Sequence, residues 1–273
     1  MQEFNYEDFN QRFGGIARLY GVEGLERLLK ARILIVGLGG VGTWAAEALA
    51  RSGVGSITLV DMDDICITNT NRQIHAMNGM IGKMKVIASR DRILAINPQC
   101  KVNAIEEFFT SKTCEQVLTT SYDYVIDAID SLQNKCVLAA ACKEKNIPLI
   151  TIGGAAGKRN PAMIKVDDLG LACNDSLLFS LRKRLRQEFS FPSGAGHTRS
   201  KKQIFHIACV YSPEEPMFPK SDGTVCAVAE GNLNLRLDCT TGMGSITHIT
   251  GIFGFLAASH VINQITCSEQ LTN

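Results

Sequence analysis

No Cys-x-x-Cys pair occurs in this 273-residue sequence, although it contains ten cysteines, at 66, 100, 114, 136, 142, 173, 209, 226, 239 and 267. That absence excludes the paired-thiolate zinc sites and dithiol redox motifs that such spacing builds. The opening stretch MQEFNYEDFNQRFGG is polar and acidic and lacks the apolar core of a secretory signal. Scattered cysteines in that setting read as reduced thiols, mostly buried, and point to the cytoplasm. An excess of one charge is missing too. Lys and Arg total 28 against 27 Asp and Glu, a net charge of +1, so a nucleic acid or a membrane would have to be met by a local patch. No internal repeat, low-complexity tract or dividing linker is visible, which favours a single continuous domain over residues 1–273.

One apolar run needs separate treatment. Residues 243–265, MGSITHITGIFGFLAASHVINQI, nearly reach the length of a bilayer span. They include His248, His260 and Asn263, and no Lys or Arg marks either end. Without those flanking anchors a buried or interface helix is expected, with membrane association as the reading a hydropathy count alone would give.

What is present is a strand–helix alternation. Strand-like runs are RILIV (32–36), SITLV (56–60), KVNAI (101–105), YDYVIDAI (122–129) and PLITI (148–152). Helical patterns begin near Val41, Lys83, Lys112 and Leu132. This rhythm predicts an α/β fold, a Rossmann-like, mostly parallel sheet covered by helices, with its ligand loops on one edge. After Gly153 follow a loop, a strand-like MIKVDDL, a charged helix near Asp175–Phe189, a basic Gly/Ser-rich stretch, the strand-like IFHIACVYS and the apolar helix, together a C-terminal extension.

The first strand runs into Gly37-Leu38-Gly39-Gly40-Val41-Gly42, with glycines at the first, third and sixth positions. Such a turn permits close backbone approach to phosphate, and the helix it opens supplies partial positive charge. Asp61 ends the second strand, where a carboxylate can accept ribose hydroxyls. These features indicate an adenine nucleotide and do not choose between NAD and ATP. The residues downstream discriminate. Asn69, Arg72 and Gln73 follow that strand and Lys85 opens the next helix, a density of charge suited to a triphosphate that is cleaved. Asp127 and Asp130 lie near the end of the fourth strand, where a carboxylate can hold Mg²⁺ against phosphate oxygens. His75 is a candidate for proton transfer, with a structural hydrogen bond as the commoner role.

GLGGVG, DMDD (Asp61 and Asp63), TNTNRQ, Lys85 in GKMK and Asp130 in DAIDS together resemble the ThiF/MoeB/ubiquitin-activating superfamily of ATP-dependent adenylating enzymes. The resemblance covers roughly residues 10–155, the expected nucleotide-binding half, and leaves 156–273 as a half facing substrate and forming a dimer. It implies ATP and Mg²⁺, with Gly37, Gly39, Gly40, Gly42, Asp61, Asp63, Asn69, Arg72, Gln73 and Lys85 on the nucleotide and Asp130 on the metal. It also implies a homodimer in which an N-terminal arginine, Arg12 by position and Arg18 next, reaches the partner's triphosphate. Within the superfamily, RFGGIARLYG, DMDDICITNTNRQIHA and SDGTVCA look like the subgroup that dehydrates threonylcarbamoyladenosine beside the anticodon of tRNA. That similarity implies carboxylate adenylation followed by intramolecular ring closure, which needs no enzyme thiol. Adenylation of a ubiquitin-like or sulfur-carrier protein is the alternative within the fold, and an NAD(P)-dependent oxidoreductase the alternative outside it. Cys226 and Cys239 are candidate nucleophiles or persulfide carriers, which leaves a sulfur-transfer protein as a further partner. Arg182, Lys183, Arg184, Arg186, Arg199, Lys201 and Lys202, joined by Lys158 and Arg159, are the candidate tRNA-facing cations.

Overall fold

The computed structural model describes residues 4–192, 204–227 and 243–267. Seven strands form one sheet: β1 (Arg32–Val36), β2 (Ser56–Val60), β3 (Lys101–Ile105), β4 (Tyr124–Asp127), β5 (Leu149–Ile152), β6 (Lys165–Asp168) and β7 (Ala208–Tyr211). Their order across the sheet is β3-β2-β1-β4-β5-β7-β6, all parallel except β6, which runs antiparallel to β7. The direction of chain progression reverses between β1 and β4, and in such sheets ligands sit outside the carboxyl ends at that reversal.

Successive strand residues face opposite layers, as the pleat requires. Ile33 and Ile35 of β1 join one core layer, Leu34 and Val36 the other. The first layer is closed by α1 (Tyr6–Lys30), α2 (Gly42–Arg51), α3 (Lys85–Ile96) and α7 (Thr247–Thr266). The second is closed by α4 (Cys114–Val117), α5 (Leu132–Glu144) and α6 (Ser176–Glu188). Asp175 caps α6, its carboxylate accepting the Leu178 N–H at 2.9 Å. A two-stranded ribbon, β8 (Phe218–Pro219) with β9 (Val225–Cys226), lies outside the main sheet.

One element, the N-terminal helix, has no counterpart in the sequence-based expectation, and another, the buried helix near the C-terminus, meets it. The polar, acidic N-terminus forms α1, broken at Gly21, whose φ of 78° no other residue adopts cheaply. Buried Phe9, Phe13, Leu25 and Leu28 anchor it, an apolar content too sparse to stand out in the sequence. The apolar run near the C-terminus forms α7, a core helix. It has the length and hydropathy of a membrane span, yet Ile249, Phe253, Ala257 and Val261 are fully buried against α2 and the sheet. Gly254 lets the helices meet: a Cβ there would stand 2.6 Å from the Val41 carbonyl oxygen.

Two polar groups are sealed inside this frame. Asp127, at the end of β4, is completely buried and faces Lys135 of α5, equally buried, at 2.9 Å. Thr151 donates its hydroxyl to the same carboxylate at 2.6 Å, and the Ile129 N–H donates to the other oxygen at 3.1 Å. His75 is 1% exposed, and neither ring nitrogen makes a hydrogen bond of good geometry among the described residues. Burial, reinforced by the charge of Lys85, pushes its imidazole down to about 4.

Lys135→Met is expected to strand the Asp127 charge and cost about 3–5 kcal/mol in urea unfolding, with much of it recovered when Asp127 is also made apolar. His75 is neutral in the folded protein and protonates readily once unfolded. Its contribution is therefore present above about 6.5 and lost as pH falls toward about 4, roughly 3 kcal/mol in all. Stability measured across that window should decline less steeply in His75→Phe than in the parent; parallel curves would contradict the assignment.

Candidate active site

The carboxyl ends of β1, β2, β4 and β5 open into a cleft of about 850 Å³. Its floor is the turn between β1 and α2. Gly37 takes φ 92° and donates its N–H to the Val60 carbonyl at 2.9 Å, and a Cβ there would stand 2.7 Å from the Ala128 oxygen. A Cβ on Gly42 would meet the Gly37 oxygen at 1.9 Å. Both positions therefore exclude every side chain. Gly39 lines the cleft and faces open space, so a ligand can approach its backbone. No side chain caps α2 at Val41, which leaves the positive end of the helix directed at this turn.

Asp61 joins the turn to the neighbouring strand. One carboxylate oxygen accepts the Leu38 N–H at 2.6 Å and the other accepts the Asp63 N–H at 2.8 Å. Burial pushes the Asp61 carboxyl up, while the Lys85 charge and these two N–H groups draw it back. Lys85, 6% exposed at the start of α3, donates to the Asp63 carboxylate at 2.7 Å. Asp61, Asp63 and Lys85 all line the cleft.

The segment after β2 carries the remaining polar groups. Asn69 is buried, accepting the Cys66 N–H on its side chain and the Arg72 and Gln73 N–H groups on its carbonyl. Arg72 donates to the Thr68 carbonyl at 2.8 Å and to the Asn71 side chain at 3.0 Å. Its own carbonyl accepts Trp44 Nε1 of α2 at 3.1 Å and the Thr250 hydroxyl of α7 at 3.3 Å. The Gln73 side-chain oxygen is withdrawn from water with no partner among the described residues, an atom awaiting a donor.

The two carboxylates after β4 separate sharply. Asp127 is consumed by Lys135 and Thr151, beneath the cleft. Asp130 lines the cleft, is exposed, and makes no hydrogen bond or ion pair among the described residues. No group of three His, Cys, Asp or Glu gathers to hold a metal by itself among those residues.

Arg12 is not brought to this cleft within one chain. It lies exposed on α1, paired with Asp8 at 2.8 Å, which raises its already high pKa. Arg18 shares that helix. The candidate tRNA-facing cations fare unevenly. Lys158 is no surface charge: it is buried and donates to the carbonyls of Asn174, Ser212 and Glu214. Arg182 turns inward to the Leu169 carbonyl at 3.1 Å, and Arg184 pairs with Glu188 at 2.8 Å. Arg186 stands 4.9 Å over the Phe205 ring, whereas Lys183 and Arg159 are exposed. Arg199, Lys201, Lys202 and Cys239 lie outside the described residues. Cys226, in β9, is half-buried and is not among the cleft-lining residues.

Several cleft residues carried no signal in the sequence. Asn71, Ser245 and Thr250 meet only because α7 folds back: the Asn71 amide donates to the Ser245 carbonyl at 2.8 Å. Cys66 lines the cleft too, and Thr68 donates to its sulfur at 3.2 Å, holding the thiol below its usual range. Glu107 and Phe108 line it directly after β3. Their position past a strand end was the one clue the sequence offered.

Known proteins share this arrangement along nearly the whole chain. The chain is 46% identical over 260 residues to the tRNA threonylcarbamoyladenosine dehydratase of Escherichia coli (strain K12), covering 94% of each. The equivalent protein of Haemophilus influenzae is 44% identical over 260 residues, covering 95% of each. A crystal structure of the E. coli dehydratase in complex with ATP superposes with a TM-score of 0.85 at 40% identity, covering 99% of this chain and 100% of that one. Residues 14–273, a stretch that contains the glycine turn, Asp61, Arg72 and Lys85, match the ThiF family, and the chain is a member of the ThiF family.

Proposed function

We propose that this chain is an ATP-dependent tRNA threonylcarbamoyladenosine dehydratase. The observation that carries the reading is the near-complete overlap with the dehydratases, in sequence and in shape, around a cleft lined by the glycine turn, Asp61, Arg72 and Lys85. ATP lies with its phosphates over the glycine turn, at the N-terminus of α2, and its ribose hydroxyls on Asp61. The free carboxylate of the modified nucleoside attacks the α-phosphorus, forming a mixed anhydride and releasing pyrophosphate. Arg72 and Lys85 balance the charge that develops on the leaving group. An atom of the same substituent then attacks the activated carbonyl, closing the ring and expelling AMP, so the nucleoside has lost one water. Because the nucleophile is tethered, its effective concentration replaces an enzyme thiol, and Cys226 takes no part.

Arg72 holds the Thr68 and Asn71 oxygens through Nη1 alone, which leaves the rest of its guanidinium for phosphate. Asp130, exposed and unpaired among the described residues, fits a Mg²⁺ ion as a single protein ligand alongside phosphate oxygens and water. When bound there, the ion neutralises phosphate charge. The protein works as a homodimer in the cytoplasm, Arg12 of each protomer completing the other's site. Lys183, Arg159 and the basic residues 199–202 are the cations left to hold tRNA phosphates. Adenylation of a carrier protein and hydride transfer with NAD(P) have less support, because the matches to dehydratases span nearly the whole chain.

Incubation with threonylcarbamoyl-modified tRNA, ATP and Mg²⁺, followed by nucleoside mass spectrometry, should reveal loss of one water that depends on ATP. Arg72→Ala and Asp130→Ala should each lower kcat by about 100-fold or more at unchanged thermal stability. An unchanged nucleoside, joined to pyrophosphate exchange driven by a Gly-Gly-ended protein, would transfer the assignment to a carrier activator. For the dimer, inactive Arg12→Ala and Arg72→Ala chains should regain activity when co-refolded, since the mixed dimer holds one intact site. No recovery would overturn the shared site, and full activity of Arg12→Ala alone would place Arg12 outside the chemistry.

A further inference from the structure

The wall of the cleft past the carboxyl end of β5 is knit from distant stretches of chain. Gly153, Gly154, Ala155 and Ala156 follow β5 and line the cleft, as do Met243, Gly244 and Ser245 ahead of α7. The Gly157 N–H donates to the Gly244 carbonyl, and the Gly157 carbonyl accepts the Met217 N–H, both at 2.8 Å. The Gly154 N–H donates to the Asp175 carboxylate at 2.8 Å.

Lys158, next along the chain, is the node of this wall. It is 4% exposed, and its ammonium donates to the Asn174 carbonyl at 3.4 Å, to the Ser212 carbonyl at 3.3 Å and to the Glu214 carbonyl. Asn174 precedes α6, whereas Ser212 and Glu214 follow β7, so one cation joins the loops of three elements. The Glu214 carboxylate returns to the same segment, accepting the N–H groups of Arg159 and Asn160. Backbone carbonyls withdrawn from water need donors, and three N–H groups on one tetrahedral nitrogen are what an ammonium supplies. Burial pushes the Lys158 pKa down, and the charges of Asp175 and Glu214 draw it back. A cation meant for a ligand keeps donors free; this one commits all three to the chain.

The glycine turn and Asp61 follow β1 and β2, but this wall follows β5, two strands beyond β1 in the sheet order. A nucleotide held at β1 and β2 leaves the β5 side for the second substrate, whose carboxylate must meet the α-phosphorus. We propose that Lys158 is a positioning residue, a tethered cation in a cage of backbone carbonyls that fixes the substrate-side wall of the cleft without touching substrate. This rests on the reading of the cleft as the place where ATP activates a nucleoside carboxylate. Without the ammonium, three carbonyl oxygens face one another with no donor between them, and the wall opens locally. None of the three loops carries Asp61, Arg72 or Lys85, so the hold on ATP is untouched.

Lys158→Ala, assayed at constant ionic strength in tetramethylammonium chloride, tests this. Its kcat/KM for modified tRNA should fall about 10- to 100-fold, the effect of displacing reacting groups by about 1 Å. Calorimetry should return an ATP Kd within about twofold of the parent's, as for sites that share no partner. Replacing the salt by ammonium or methylammonium chloride should restore most of the lost turnover, because a small cation bearing N–H groups fits the emptied cage, and should leave the parent unchanged. Lys158→Met, which fills the cage without donating, should lose as much and gain nothing from either ion. Should Lys158→Ala fail to fold, Lys158→Gln carries the test with a smaller loss expected, since its amide supplies two of the three N–H groups; full activity there would count against the cage. Undiminished turnover in Lys158→Ala, ATP affinity that falls in step with turnover, or a loss that neither ion restores would overturn the positioning role. Parent protein that binds ATP yet leaves the modified nucleoside unchanged would overturn the functional reading instead.

Discussion

Asp61 is a half-buried carboxylate whose two oxygens each receive a backbone N–H, one from the glycine turn and one from the loop after β2. Those two bonds hold separate segments in one geometry. Asp63, immobilised by the second, in turn fixes the ammonium of Lys85. A buried carboxylate with fewer donors would rise further in pKa and lose its charge. With them it stays an acceptor that ligand hydroxyls can share. The cation on α3, the turn after β1 and the rim of β2 thus depend on one side chain.

The second support is Asp127, which never meets the cleft. Its bond to the Ile129 N–H and its pairing with Lys135 and Thr151 stiffen the short segment from which Asp130 projects. Two acidic residues three positions apart divide the work. The buried one sets backbone position and the exposed one keeps its charge accessible. A buried ion pair of this kind is weak evidence for stability but good evidence for a fixed local geometry.

Local chemistry makes much of the molecule legible in its sequence. The strands of the first half announce themselves as short apolar runs, the glycine turn, Asp61 and Asp130 lie within a few residues of a strand end, and Asn69, Arg72 and Lys85 stand out as polar groups between β2 and the start of α3. What escapes is whatever depends on distant partners. Nothing around Lys158 distinguishes a solvated cation from one that ties three carbonyls together. Asp127 and Asp130 look equivalent until the depth of Lys135 is known. The antiparallel direction of β6 and the insertion of β7 beside β5 are set by pairing, which local pattern does not encode. Helix α1 is hidden for the opposite reason, since its few anchoring side chains sit among many polar ones.

The last helix has a consequence for how the protein comes into being. Thr250 and Ser245 hold the Arg72 loop from a position nearly two hundred residues later, and α7 closes the core layer over α2. Among the described residues strand β6 pairs only with β7, so it too waits for chain made after it. During synthesis, domains form from the N-terminus onward, and contacts between distant segments come last. A ribosome-bound chain that has already emerged through Lys85 possesses the glycine turn and both cations, yet lacks the helix that closes over them. The cleft is thus walled only once α7, far along the chain, has been made and has packed over α2.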